Sequence, residues 1–143
     1  MQNNKKQFNQ EKLIEILKQE PDIIAVYLFG SYLDEKVTQP GDVDLALLLS
    51  KPPKSNVQRF IKLYPKLSEV FAPFEVDLLF LHSVKVPMRF EVISASKVIY
   101  CTDDDLRTDF EDNVTREYLD FMYHLKAAHR EFYEELMEGN LFV

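Results

Sequence analysis

LFGSYLDEKVTQPGDVDLALLL, residues 28–49, holds two of the three glycines in the chain and two aspartates one residue apart at the mouth of an apolar run. Gly30 closes a run, Ile23 to Phe29, that is apolar, partly β-branched and bounded upstream by Pro21-Asp22, so it reads as a buried strand. Pro40-Gly41 marks a turn over Lys36 to Gly41, and Asp42 to Leu49 then reads as a second strand, apolar enough to be central. A core strand that opens on two carboxylates needs a physical reason.

Strand side chains alternate, so Asp42 and Asp44 share a face with Cα atoms roughly 6.5 to 7 Å apart. Two carboxylates so placed repel each other, and in a half-buried setting they also lose hydration. The pair then requires protons or a cation. Hard oxygen ligands suit Mg²⁺, and two ions about 3.5 to 4 Å apart are bridged by such a pair. Phe74 to Leu81 reads as a third strand, with Asp77 set among Val76, Leu78, Leu79 and Phe80. Beside the second strand, Asp77 completes a three-carboxylate metal site of Asp42, Asp44 and Asp77. Other readings fit the single residues: Asp42 as a turn residue, Asp44 as a solvated strand end, Asp77 hydrogen-bonded to backbone amides or facing solvent on an edge strand with Glu75. Gly30-Ser31 adds an anion cradle. Gly30 allows close backbone approach, Ser31 offers a hydroxyl, and a short helix from Ser31 would present free N–H groups. An ordinary strand-to-helix turn is the competing reading.

Outward from this stretch, Leu13, Ile14 and Leu17 make one face of a helix over Asn9 to Gln19. Ser55 and Gln58 have capping-box spacing before a helical run from Val57 to Phe71, which Pro65 is expected to kink or divide. Val84 to Ala95 reads as a short helix with Pro87 near its first turn, and Lys97 to Cys101 as a fourth strand. Asp103-Asp104-Asp105 then opens a long helix that Gly139 stops. Its apolar positions, from Leu106, Phe110, Val114 and Tyr118 to Phe121, Leu125, Ala128, Phe132 and Leu136, recur every three or four residues. The half from Leu106 to Tyr118 is expected to cover the sheet. The half beyond Phe121 outruns so small a core, and is expected to face another chain, with Leu125, Phe132 and Leu136 as contacts.

The 143 residues suit a single domain over 1–143, with a core of about 8–101 and a long C-terminal helix of about 103–138. Hydrophobic residues at 46% and charged residues at 29% describe a globular chain. No apolar segment reaches spanning length and MQNNKKQFNQEK lacks a signal-peptide core, so a cytoplasmic protein without membrane partners is expected. A formal net charge of −7 argues against gripping nucleic acid and for a basic partner. Cys101, the one cysteine, reads as an inert core thiol. His82, His124 and His129 share no constellation, and no serine has the partners for hydrolase chemistry.

Gly30-Ser31, ten residues, Asp42-Val43-Asp44-Leu45, then Val76-Asp77-Leu78 resembles the DNA polymerase β-like nucleotidyltransferase superfamily, and within it the minimal nucleotidyltransferase (MNT) antitoxins. Lys97 to Phe121 resembles the strand and long helix that close those proteins. The resemblance implies an α/β (α+β) fold with a mixed central sheet, flanking helices and a long C-terminal helix. It also implies two Mg²⁺ ions, ATP as donor, and a HEPN-type ribonuclease toxin whose tyrosine is adenylylated. By the same resemblance Asp42 and Asp44 hold two Mg²⁺, Gly30 and Ser31 hold the triphosphate, and Asp77 is both metal ligand and general base. The chain departs from the family pattern after Gly30-Ser31: Tyr32-Leu33-Asp34-Glu35-Lys36 stands where x-Ala-Arg-Gly is usual, and Gly41 where serine is commoner. Three functions follow: an adenylylating antitoxin, a degenerate antitoxin that neutralises its toxin by binding alone, and a small-molecule nucleotidyltransferase of the aminoglycoside type.

Overall fold

The computed structural model describes residues 7–36 and 41–139. Helix α1 (Gln10–Lys18) leads into strand β1 (Ile23–Phe29), followed by β2 (Asp42–Leu49), α2 (Asn56–Phe71), β3 (Glu75–Phe80), α3 (Val86–Ala95), β4 (Lys97–Cys101) and α4 (Asp104–Met137). The four strands form one mixed sheet in the order β3-β2-β1-β4, with β1 antiparallel to β2 and β4, and β2 parallel to β3. The turn expected at Pro40-Gly41 lies largely outside the described residues.

Alternation sorts the strands into two layers. Val43, Leu45, Leu47 and Leu49 of β2, with Val26 and Leu28 of β1 and Val76, Leu78 and Phe80 of β3, face α1 and α2. Ala46 and Leu48, with Ala25 and Tyr27, face the other way, where α3 and the start of α4 meet them through Val92, Met88 and Phe110. Asp42 and Asp44 share the parity of Ala46 and Leu48. The second layer covers β2 from Ala46 onward and leaves the Asp end open, so the same strand is core along most of its length and polar at its start.

Local sequence explains the elements. Asn9, Ser55 and Asp103 cap α1, α2 and α4 by accepting from the backbone N–H groups of Lys12, Gln58 and Leu106. Arg59 ties α2 to the segment before β1, pairing with Glu20 at 2.8 Å and with Asp22. Pro65, expected to kink or divide α2, lies inside one uninterrupted helix. Both Pro65 and Ile61, whose carbonyl loses its helical donor, are exposed, so this turn of the helix lies on the solvent side rather than in the core.

Helix α4 is clamped at its first half. Tyr27 donates its hydroxyl to Glu111 Oε2 at 2.7 Å, and Arg107 donates to the same oxygen at 2.9 Å. Burial and the Glu111 carboxylate push the Tyr27 phenol far above its ordinary range. Val114 is buried and Tyr118 stacks on Phe90 with ring centres 3.9 Å apart. Leu106, expected to cover the sheet, is 48% exposed; it sits in the first turn, before the helix reaches the core. With 34 residues α4 runs about 50 Å, against about 26 Å for the eight residues of β2. Beyond Tyr118 the side chains of Phe121, Phe132 and Tyr133 are exposed, and Leu125 and Leu136 are half-buried. Among the described residues, no helix is long and apolar enough to cross a membrane.

Candidate active site

The open end of the second layer gathers the carboxylates. In the parallel ladder Asp44 pairs with Asp77 and Asp42 with Glu75. Ladder partners point to the same side, and so do residues two apart, so Asp42, Asp44, Glu75 and Asp77 form a two-by-two array on one face. Glu75 was read from sequence only as a solvent-facing companion of Asp77; the signal that could have joined it to the array is its two-residue spacing from Asp77. Among the described residues, no hydrogen bond or ion pair engages the carboxylates of Asp42, Asp44 or Asp77.

The three aspartates differ in burial. Asp44 is half-buried at the centre, and its carboxyl is raised above the ordinary aspartate range, first by burial and then by the charges of Asp77 and Asp42. Asp77, expected inside an apolar strand, is exposed: β3 is a sheet edge, and its apolar neighbours Val76 and Leu78 point to the opposite layer. The cost of burying charge falls on Asp44 rather than on Asp77.

Gly30 follows directly on β1 with φ +82° and ψ −161°, a conformation that side chains resist. A Cβ there would lie 2.1 Å from Asp44 Oδ2 and 3.0 Å from its Cγ. The missing side chain is thus the space into which the Asp44 carboxylate fits. Phe29, the residue before it, is the β1 partner of Asp44, so strand register fixes this contact. A Cβ at Gly41 meets nothing within 4 Å.

The short helix expected from Ser31 is a single 3-10 turn, Ser31–Leu33. Asp34 leaves helical geometry at ψ 112° and its side chain accepts the backbone N–H of Lys36 at 2.9 Å, a local bond that competes with helix continuation. The turn therefore offers Ser31, exposed beside Gly30, but no helix terminus for an anion. Tyr32 anchors it, buried edge-on against Phe71 and Phe74 at 6.3 and 5.6 Å.

Oxygen-only donors, unpaired and mutually repelling, suit a hard divalent cation. The glycine-shaped recess that holds Asp44 fits the same role. Even so, among the described residues no three His, Cys, Asp or Glu side chains converge into a ready-made metal cluster. His82 lies apart, its Nε2 3.0 Å from the Leu49 carbonyl oxygen and its ring edge-on to Phe110. His124 and His129 are exposed on α4, and Cys101 is half-buried against the second layer.

Known proteins resemble the chain in sequence and in fold. The protein adenylyltransferase MntA of Shewanella oneidensis is 26% identical over 132 residues, 92% of this chain and 89% of that protein. The MNT antitoxin in complex with tri-AMPylated HEPN toxin from Shewanella oneidensis is 26% identical, with a TM-score of 0.61 over 96% of this chain and 99% of that one. A toxin-antitoxin crystal structure with AMP-PNP matches at 25% identity and a TM-score of 0.63, over 90% of this chain and 98% of that one. The family model for the polymerase beta nucleotidyltransferases spans residues 11–105, from α1 through the carboxylate array to the start of α4, and the chain belongs to that family.

Proposed function

We propose that this chain is an antitoxin that transfers AMP from ATP to a tyrosine hydroxyl of a cognate HEPN ribonuclease toxin. The observation that carries the reading is the pairing of Asp44 with Asp77, with Asp42 two residues back and Gly30-Ser31 alongside. Likeness to a protein adenylyltransferase and to antitoxins solved with AMP-PNP or with AMPylated toxin supports it.

Asp42, Asp44 and Asp77 are the residues that would hold Mg²⁺, which when bound neutralises triphosphate charge and makes the acceptor hydroxyl more acidic. Gly30 and Ser31 steady the triphosphate, the first by leaving its backbone accessible and the second through its hydroxyl. The tyrosine oxygen attacks the α-phosphorus in line. A new O–P bond forms, the bond from the α-phosphorus to the α–β bridging oxygen breaks, and pyrophosphate leaves. Asp77 takes the hydroxyl proton, a role its exposure at the sheet edge supports. Positioning and electrostatics supply most of the acceleration. Helix α4 beyond Tyr118, with Phe132 and Leu136, provides the docking surface for the toxin, and the net charge of −7 favours a basic one.

A second reading, neutralisation by binding alone, is favoured by exposed Asp34 and Glu35, which add negative charge next to the turn that would face a triphosphate. Incubation of the toxin with this protein, Mg²⁺ and ATP labelled at either the α or the γ phosphate separates the readings. Nucleotidyl transfer leaves the α label on the toxin and not the γ label; binding alone leaves neither.

A further inference from the structure

Strand β3 is held by β2 on one side, and among the described residues nothing pairs with the other. Its outer N–H and C=O groups are a template for one more strand. A groove of about 340 Å³ runs along this edge, lined by Val57 and Phe60 of α2, by Leu78, Leu79 and Phe80 of β3, and by Val84. Leu78 and Phe80 belong to one layer and Leu79 to the other, so the groove straddles the edge. Val57 on its wall is 68% exposed, and Ile61, four residues further along α2, is 63% exposed. Free edges are commonly blunted by proline or charged side chains; in Glu75–Phe80, EVDLLF, the charges are confined to Glu75 and Asp77, and Leu78–Phe80 carries none.

Charge decides what fits. Glu75 and Asp77 lie on β3, with Asp42 and Asp44 one strand away. A second copy paired edge to edge would bring two such arrays into one strip, and like charges facing each other across strands are destabilising. A cationic extended segment meets no such penalty. A strand added at about 4.8 Å also turns one alternate set of its side chains toward Val57, Leu78 and Phe80 in the groove, and the other set toward the face of Glu75, Asp77 and Leu79.

We propose that the β3 edge receives an extended, lysine- or arginine-bearing segment of the acceptor protein as a fifth strand. An apolar side chain of that segment enters the groove at Val57 and Leu78, and the hydroxyl residue next to it, turned to the other face, comes to Asp77. This rests on the nucleotidyl-transfer reading of the site.

The probe is a short peptide alternating valine with lysine, with one tyrosine in a lysine position so that tyrosine and lysines share the face of Asp77, made in three forms: unmodified, and N-methylated on either alternate set of backbone nitrogens. Binding to the full chain is followed by amide NMR, with AMP transfer from Mg²⁺-ATP measured in parallel. Only one alternate set of N–H groups faces β3. That methylated peptide should bind at least about tenfold more weakly, as expected for loss of one or two backbone hydrogen bonds, while the other binds like the unmodified form. Val57→Lys, at an exposed position, should weaken binding similarly and leave the fold intact. Equal binding of both methylated peptides overturns the proposal. So does no binding up to about 1 mM, the range of a weak peptide contact, or a self-associated species in sedimentation that Val57→Lys disperses. AMP transfer that ignores the methylation pattern removes the added strand and leaves the transferase reading. Pattern-dependent binding with no AMP transfer does the reverse.

Discussion

Replacing Gly30 by alanine tests whether the recess for Asp44 is built from a missing side chain. The new Cβ would lie 2.1 Å from Asp44 Oδ2, over 1 Å inside ordinary contact, so the carboxylate must swing away or the backbone must shift. Displacing a close-packed group costs about 1–3 kcal/mol. The φ of +82° adds a backbone penalty of about 1–3 kcal/mol that is independent of Asp44. Gly30→Ala is therefore expected to destabilise by roughly 2–6 kcal/mol, of which only the overlap depends on Asp44. In an Asp44→Ala background the same change should cost about 1–3 kcal/mol less, a coupling well above the few tenths expected for independent sites. Urea unfolding of the four proteins in EDTA measures the cycle, and its sign is read from the cost of Gly30→Ala with and without the Asp44 side chain. Gly41→Ala, with nothing within 4 Å, is the near-neutral control. Additive costs would refute the recess.

Asp44→Asn should also change how metal-free stability depends on pH. The folded-state pKa of Asp44 is raised, so its ionisation opposes folding: the contribution is intact below the ordinary aspartate pKa of about 4 and is lost as pH rises through the raised value. The stability of the wild type relative to Asp44→Asn should fall across that window in EDTA; a flat difference contradicts the shift. Asp77→Asn, at an exposed edge position, should change metal-free stability by no more than about 0.5 kcal/mol while abolishing transfer, and a clear loss of stability would make Asp77 structural. Tyr27→Phe removes the 2.7 Å bond to Glu111 and should cost about 1–2 kcal/mol in denaturant melts, with no change if that bond contributes nothing to the α4 clamp. Charged replacements at Phe132 and Leu136 should leave the circular dichroism spectrum unchanged and weaken toxin capture by more than about 2 kcal/mol, whereas undiminished capture moves the interface elsewhere.

What was legible in the sequence was what local chemistry decides. β1, β2 and β4 fall where apolar runs are bounded by proline, glycine and polar breaks, and α2 and α4 start where Ser55 and Asp103 cap them. Asp42, Asp44 and Asp77 were visible because aspartate is out of place in such runs. What escaped depends on neighbours in space. That Asp77 is exposed follows from the position of β3 at the sheet edge, and that Glu75 joins the array follows from strand register. Pro65 stays within its helix on the exposed side of α2, where a missing backbone hydrogen bond is least costly. The turn after Gly30 is short because Asp34 takes the Lys36 N–H for itself. Gly30 itself was read as a phosphate approach, while its steric partner, Asp44, is fourteen positions further along the chain and visible only in the folded sheet.

Intact-mass spectrometry of the toxin, paired with its ribonuclease activity, is the most direct test of adenylylation at this carboxylate array. With wild-type protein, Mg²⁺ and ATP, the toxin should gain the mass of one or more AMP groups and stay inactive after this protein is removed. With Asp44→Asn it should gain no mass and recover its activity. A toxin silenced only while this protein is bound, with unchanged mass and no dependence on ATP, would contradict the account.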